Sequence, residues 1–254
     1  MDVDSSELQK IRTTEAKLPE LIARRIIEYV VSQGITDGSM LPSERRLMET
    51  FAVSRATMRE ALRHLEALGL VQMRRGAGGG PIVRWPQPGD IGNVLSLFLH
   101  FSNASLMDVM AARQVIEPAV IAEAVRLISV ADLAQLRESV DRMQAELDVA
   151  DVFLSENERF HRIIAEATRN PVLGAINGML KYVSDGTMAG ISYTRAHREA
   201  VAAAHLRIVE ALEAGDADAS ARAMAAHLDE AAKDWRRRYP ELVLTPIAWL
   251  GKSR

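Results

Sequence analysis

His205 and His227 stand 22 residues apart, and Gly215-Asp216 falls midway between them. If that dipeptide closes a hairpin of two antiparallel helices, each histidine sits about 10 residues from the turn, roughly 16 Å at about 1.5 Å per residue. The two imidazoles then arrive at one height. Asn157 and His161 are four apart, so both project from one face of a single helix. Convergence of Asn157, His161, His205 and His227 would make an N/O site suited to a divalent metal ion, zinc or nickel first, with manganese or iron as further candidates. Surface or satisfied core histidines remain the alternative on spacing alone. The chain has no cysteine, which excludes disulfides, thiolate zinc sites and cysteine nucleophiles.

A second constellation is cationic. Residues 21–85 hold 10 Arg and no Lys against 6 acids, a balance of +4 within a chain of net charge −3. A basic segment joined to an acidic remainder points to two jobs on one chain, although chance segregation of charge gives the same pattern. Ser54, Arg55 and Thr57 would occupy the first turn of a helix, with Arg59 one turn along and Arg45 at the start of the preceding helix. An Arg there has the fork that pairs with guanine O6 and N7, and the remaining polar groups suit phosphates. Arg74 and Arg75 precede Gly76-Ala77-Gly78-Gly79-Gly80-Pro81, a glycine run whose bare backbone could lie close to a sugar-phosphate chain. That run fails GxGxxG, because Pro81 takes the last position, and no Gly-Lys-Ser/Thr follows, so a nucleotide loop is set aside.

The elements that would position these residues are mostly helices. Aromatics are 5% and hydrophobic residues 48% of the 254 residues, a mix that favours helix-on-helix packing over a β-sandwich. Residues 1–17 are polar and lack periodicity, and read as a flexible tail. Leu18, Leu21, Ile22, Ile26, Val30 and Val31 fall near one face of a first helix, ended at Gly34. A second helix opens after Ser43 and a third after Ser54, with Met58, Leu62, Leu65 and Leu68 on its buried stripe. Only Ala52 and Val53 separate them, the spacing of a helix-turn-helix. Extended runs on either side of the glycines make a β-hairpin, so 18–85 is expected to be a winged helix-turn-helix.

Trp85-Pro86-Gln87-Pro88-Gly89 reads as a stiff linker, placed at 86–90. Residues 91–239 are expected to be all-helical, with helices at 91–101, 105–127, 130–150, 151–168, 171–188, 192–213 and 216–238. The tail 240–254 is unassigned, with Trp249 a candidate to dock on the body. The fold class is mainly α. The N-terminus lacks the make-up of a signal peptide, and the apolar run Ile91–Phe101 is about half the roughly 20 residues of a spanning helix. A soluble, cytoplasmic, nucleoid-associated protein is expected.

The stretch LPSERRLMETFAVSRATMREALRHLEALGLVQMRRGAGGGPIV resembles the DNA-binding domain of the GntR family, whose pattern runs LPSER-x-L, VSR-x-x-VREAL-x-x-L, then GL and a basic glycine-rich wing. With the helix before it, the resemblance covers residues 18–84. It implies that Arg45, Ser54, Arg55, Thr57, Arg59 and Gly76 contact operator DNA. Ala56 departs from the pattern, where a hydroxyl residue is common. Residues 91–238 resemble the FCD ligand-binding domain of the FadR-type branch, whose metal-binding members carry Asp-x-x-x-His and two later histidines. Asn157 stands where the family has Asp, a neutral and poorer ligand. Arg113-Gln-Val-Ile-Glu117 matches the domain's Arg-x-x-x-Glu element. The pair could simply brace a helix turn, but the resemblance implies a small organic-acid effector bound to the metal and to Arg113. Asn170 is expected to cap a helix.

Taken together, the expectation is a homodimeric transcriptional regulator, first of all a repressor, of metabolic genes. It would bind double-stranded DNA at a palindromic operator. Dimerisation and effector control come from the resemblance. Two rivals stay open. A metalloenzyme acting on a small carboxylic acid would use the same histidines but leaves the winged helix unexplained. A non-specific architectural DNA protein would leave the pocket unexplained.

Overall fold

The computed structural model describes residues 5–76, 79–184 and 190–249. They form two compact units, 1–90 and 91–254. The first contains α1 (Ser5–Ser32), α2 (Glu44–Phe51), α3 (Arg55–Ala67), β1 (Val71–Arg74) and β2 (Gly80–Val83). Contrary to the expected tail over 1–17, α1 already begins at Ser5 and runs through Pro19. Glu, Leu, Gln, Lys and Ala are good helix formers without an apolar stripe. The periodicity therefore marked where the helix meets a core, not where it starts.

Ile22, Ala23 and Ile26 of α1, Leu41, Leu47 of α2, and Met58, Ala61, Leu62 and Leu65 of α3 close one apolar core with Val71 and Val83. Leu18, Leu21, Val31 and Leu68, expected on buried faces, are exposed. Leu68 is the C-cap of α3 and has left the stripe. Ala52 takes the left-handed conformation at φ 51° between α2 and α3, which turns the chain within two residues at a cost a non-glycine residue meets only when packing holds it there. The antiparallel strands pair Val71 with Val83 and Arg74 with Gly80. Met40 bridges to Ile82, adding an edge to the hairpin.

The second unit is helical: most of α4 (Pro88–Phe101), then α5 (Leu106–Ala124), α6 (Val130–Ala145), α7 (Ala150–Ala167), α8 (Pro171–Val183), α9 (Arg195–Glu213) and α10 (Ala217–Arg238). Order follows expectation, but α4 starts inside the expected linker, α5 stops at Ala124 and α6 at Ala145, α8 ends at Val183 with Ser184 as C-cap, and α9 opens only at Arg195. Residues 185–188 of the expected 171–188 helix lie outside the described residues. Ser105 with Asp108 and Ser129 with Asp132 form reciprocal capping boxes at α5 and α6, satisfying orphan amides from both sides.

Helix α5 buries one face, running from Leu106 and Met110 through Arg113, Glu117 and Val120 to Ala124, and packs on α7, α8 and α10. In the C-terminal tail a short 3-10 turn, Leu242–Leu244, buries Val243, and Ile247 is also buried. The Ile247 amide donates to Ala104 O at 2.8 Å. Trp249, the residue expected to dock, is exposed; two smaller aliphatics hold the tail instead.

Candidate metal centre and nucleic-acid interface

Helices α9 and α10 run antiparallel about the turn at Gly215, whose φ of 67° is the left-handed value glycine tolerates. That turn brings His205 and His227 together, with ring centroids 4.8 Å apart. His161 comes from α7, 5.4 Å from His205 and 5.5 Å from His227. One nitrogen from each ring lies within 4.8 Å of the others, and all three residues are buried. His205 is stacked on Phe160 at 3.8 Å, which fixes its plane.

Both ring nitrogens of His205 are buried without a hydrogen-bond partner among the described residues. An unmet buried polar atom costs about 1–3 kcal/mol, so this ring fits a ligand role better than a core role. Burial, reinforced by neighbouring histidines, holds the His205 and His227 imidazoles well below the usual histidine range. Both are therefore neutral, the protonation state a metal requires. Arg113 and Lys181 add positive charge that acts on all three rings in the same direction.

His161 is held by a buried relay. Its Nδ1 lies 2.7 Å from Glu117 Oε2, while Arg113 Nε donates to Glu117 Oε1 at 2.5 Å and Arg113 Nη1 to Ser184 Oγ at 3.2 Å. Burial raises the Glu117 carboxyl, but Arg113 and His161 outweigh it and hold that group well below the usual carboxylate range. An ionised carboxylate accepting from Nδ1–H leaves Nε2 as the lone-pair nitrogen, the arrangement typical of metal-ligating histidines. Glu117 was read from the sequence only as a helix brace. The available signal was a lone acid inside the apolar run of α5, where burial without a partner is prohibitive.

The remaining predicted residues are placed as follows. Asn157 is half-buried one turn before His161 and lines a cleft of about 310 Å³ with Lys181, Tyr182 and Tyr193. Asn170 caps α8, its Oδ1 accepting from the Val172 and Leu173 amides at 3.0 and 3.4 Å. In the first unit, Ser54 Oγ caps α3 by accepting from the Thr57 amide at 3.2 Å, and it lies 2.8 Å from Thr57 Oγ1. Arg55, Arg59, Arg74, Arg75 and Gly76 are exposed. Arg55 pairs with Glu44 at 3.6 Å, and the exposed Arg45 with Glu49 at 3.8 Å. Such solvent-facing pairs are worth about 0–1 kcal/mol and are readily exchanged. Residues 77 and 78 of the glycine tip lie outside the described residues.

Comparison with known proteins bears on both units. The profile of the gntR family of bacterial regulatory proteins matches residues 18–79, and that of the FCD domain matches residues 108–230. The chain belongs to the GntR family, in its FCD-bearing branch. It is similar to the HTH-type transcriptional repressor NanR of Enterobacter sp. (strain 638), with 27% identity over 241 residues, covering 86% of this chain and 85% of that one. NanR of Escherichia coli (strain K12 / DH10B) is 26% identical over 227 residues, covering 86% and 84%. Among solved structures, Streptococcus agalactiae GntR superposes with a TM-score of 0.62 at 22% identity, covering 85% of this chain and 99% of that one. That likeness speaks to the fold. This GntR/FCD protein is thus a transcriptional regulator, with a DNA-binding winged helix-turn-helix and a ligand-binding regulatory domain. No described helix is long and apolar enough to cross a membrane.

Proposed function

We propose that this regulator is a cytoplasmic repressor of metabolic genes. It binds a palindromic operator as a homodimer, and a small organic acid held at a metal-containing pocket controls it. The observation that carries the sensing half is the buried triad of neutral imidazoles, His161, His205 and His227. Zinc or nickel suits such nitrogen ligands, and three protein ligands leave positions open for an effector. Asn157 stands on the triad side of α7 as a further, weaker oxygen donor. An ion bound there would supply a fixed positive centre for a carboxylate. Arg113, with Nε and Nη1 committed to Glu117 and Ser184, offers Nη2 to the same anion.

On the DNA side, Arg55 and Arg59 lead the recognition helix into the major groove, while Arg45, Ser54 and Thr57 meet the backbone beside it. Arg75 and Gly76 bring the wing to the neighbouring minor groove. The repressor sign rests on the NanR relatives. A thermal-shift screen of small carboxylic acids, run with and without chelator, tests this reading, because a ligand that binds only the native state raises its melting temperature. An acid that stabilises only metal-loaded protein is expected. Equal stabilisation after chelation would remove the metal from effector recognition.

A further inference from the structure

Helix α8 presents a polar stripe beside the histidine triad. Asn177 and Ser184 are both buried. Asn177 Nδ2 donates to His161 O at 3.3 Å, and Ser184 Oγ accepts from Arg113 Nη1 at 3.2 Å. Lys181 stands four residues after Asn177 and three before Ser184, so the three share one face of the helix. Its neighbours along that face thus reach the backbone of His161 and the guanidinium of Arg113. Ser184 Oγ also donates to Lys181 O at 3.2 Å. Lys181 itself is half-buried and, with Asn157, Tyr182 and Tyr193, lines the cleft of about 310 Å³. Its charge acts on all three imidazoles.

A lysine in the last turn of a helix is ordinarily explained by the macrodipole, with its ammonium in water. Lys181 is in the last turn of α8, yet it lies in a cleft between two residues that touch the triad's supports. The charges named around the triad are also uneven. Arg113 and Lys181 bring two positive charges against the single negative charge of Glu117, and a divalent ion would add two more. Asn157 contributes a neutral amide. One carboxylate offsets one of these charges, and a second would offset another. Asp151 and Glu158 line the same cleft, but both are exposed. A lysine exchanges such solvent-facing carboxylates for those of a ligand at little cost, because exposed ion pairs are weak. The cleft volume is at the low end for small-molecule sites, about 300–1,000 Å³, which suits a ligand of a few carbons.

We propose that Lys181 is a second carboxylate anchor of the effector site, so that the acid this regulator binds is a short dicarboxylate, one end on the metal and Arg113 and the other on Lys181. This rests on the proposed organic-acid effector and narrows its class. Titration calorimetry on the full zinc-loaded chain compares malonate, succinate, glutarate and adipate with propionate, butyrate, valerate and hexanoate, the monocarboxylates of equal carbon number. At least one dicarboxylate is expected to bind about 10- to 100-fold tighter than its counterpart, the gain of a hydrogen bond to a charged group. Lys181→Met, which keeps an apolar stem, is expected to erase that difference, and Lys181→Arg to retain most of it. Chelation of zinc by both carboxylates would give a preference that Lys181→Met does not remove. Circular dichroism and bound zinc are checked on each variant. A difference that survives in Lys181→Met, or wild type that binds each monocarboxylate as tightly as its dicarboxylate, would overturn the inference while leaving an acid effector in place. Binding of no acid from either series would overturn the inference together with the effector reading it rests on.

Discussion

Glu117 Oε2 lies 2.7 Å from His161 Nδ1, with both side chains buried. A charged acid at the centre of a helical domain is costly unless it is paired. Here Arg113 and His161 both pair it, and in return it fixes which imidazole nitrogen faces His205 and His227. The arrangement of the histidine triad is therefore set on α5 as much as on the histidine-bearing helices.

Replacing Glu117 by Gln keeps its volume but removes the charge that orders the His161 tautomer. Metal affinity, measured by competition with a chromogenic chelator, is expected to fall about 10- to 100-fold. Circular dichroism should show the helices intact. Unchanged affinity would reduce the relay to a packing feature.

Acid should destabilise the chelated protein. Burial puts His161, His205 and His227 below the usual histidine range in the folded state, whereas unfolded histidine titrates near about 6.5. With the folded values lower, the unfolded chain binds more protons, so stability is fully present above about pH 6.5 and is lost as pH falls below it. Glu117, whose folded value is also lowered, adds a loss in the same direction at more acidic pH. Urea midpoints between pH 7.5 and 5.5 test this, and a flat profile would show that the rings are not buried in neutral form.

On DNA, Arg55→Ala and Arg75→Ala should fail differently. Loss of a base-reading Arg is expected to cost about 1–3 kcal/mol and relax preference at one operator position, whereas loss of a phosphate contact weakens all sequences alike and lowers the salt slope by about 1. Fluorescence anisotropy with selected and scrambled duplexes at several salt concentrations separates them. Equal loss of affinity on both duplexes for Arg55→Ala would remove that residue from base readout.

Much of this was legible in the sequence, and the exceptions have physical causes. Helix order in the second unit followed from caps and breaks such as Ser129, Asn170-Pro171 and Gly215-Asp216, because these act locally. The meeting of His205 and His227 followed from their symmetry about one turn. The partner of His161 was hidden, since Glu117 lies 44 residues away and no periodicity encodes a contact between α5 and α7. The start of α1 was missed because helix-forming residues in a sequence without apolar periodicity give no signal of where a helix begins. Trp249 misled by size alone: Val243 and Ile247, less conspicuous, anchor the tail.

The most direct test of the proposed metal centre is elemental analysis of purified wild type beside a variant in which His205 and His227 are both Ala. About one zinc or nickel per chain in the wild type, and none in the folded variant, is the predicted result. Stoichiometric metal retained by the double variant, or a wild type that takes up no divalent ion when dialysed against zinc, would contradict the account.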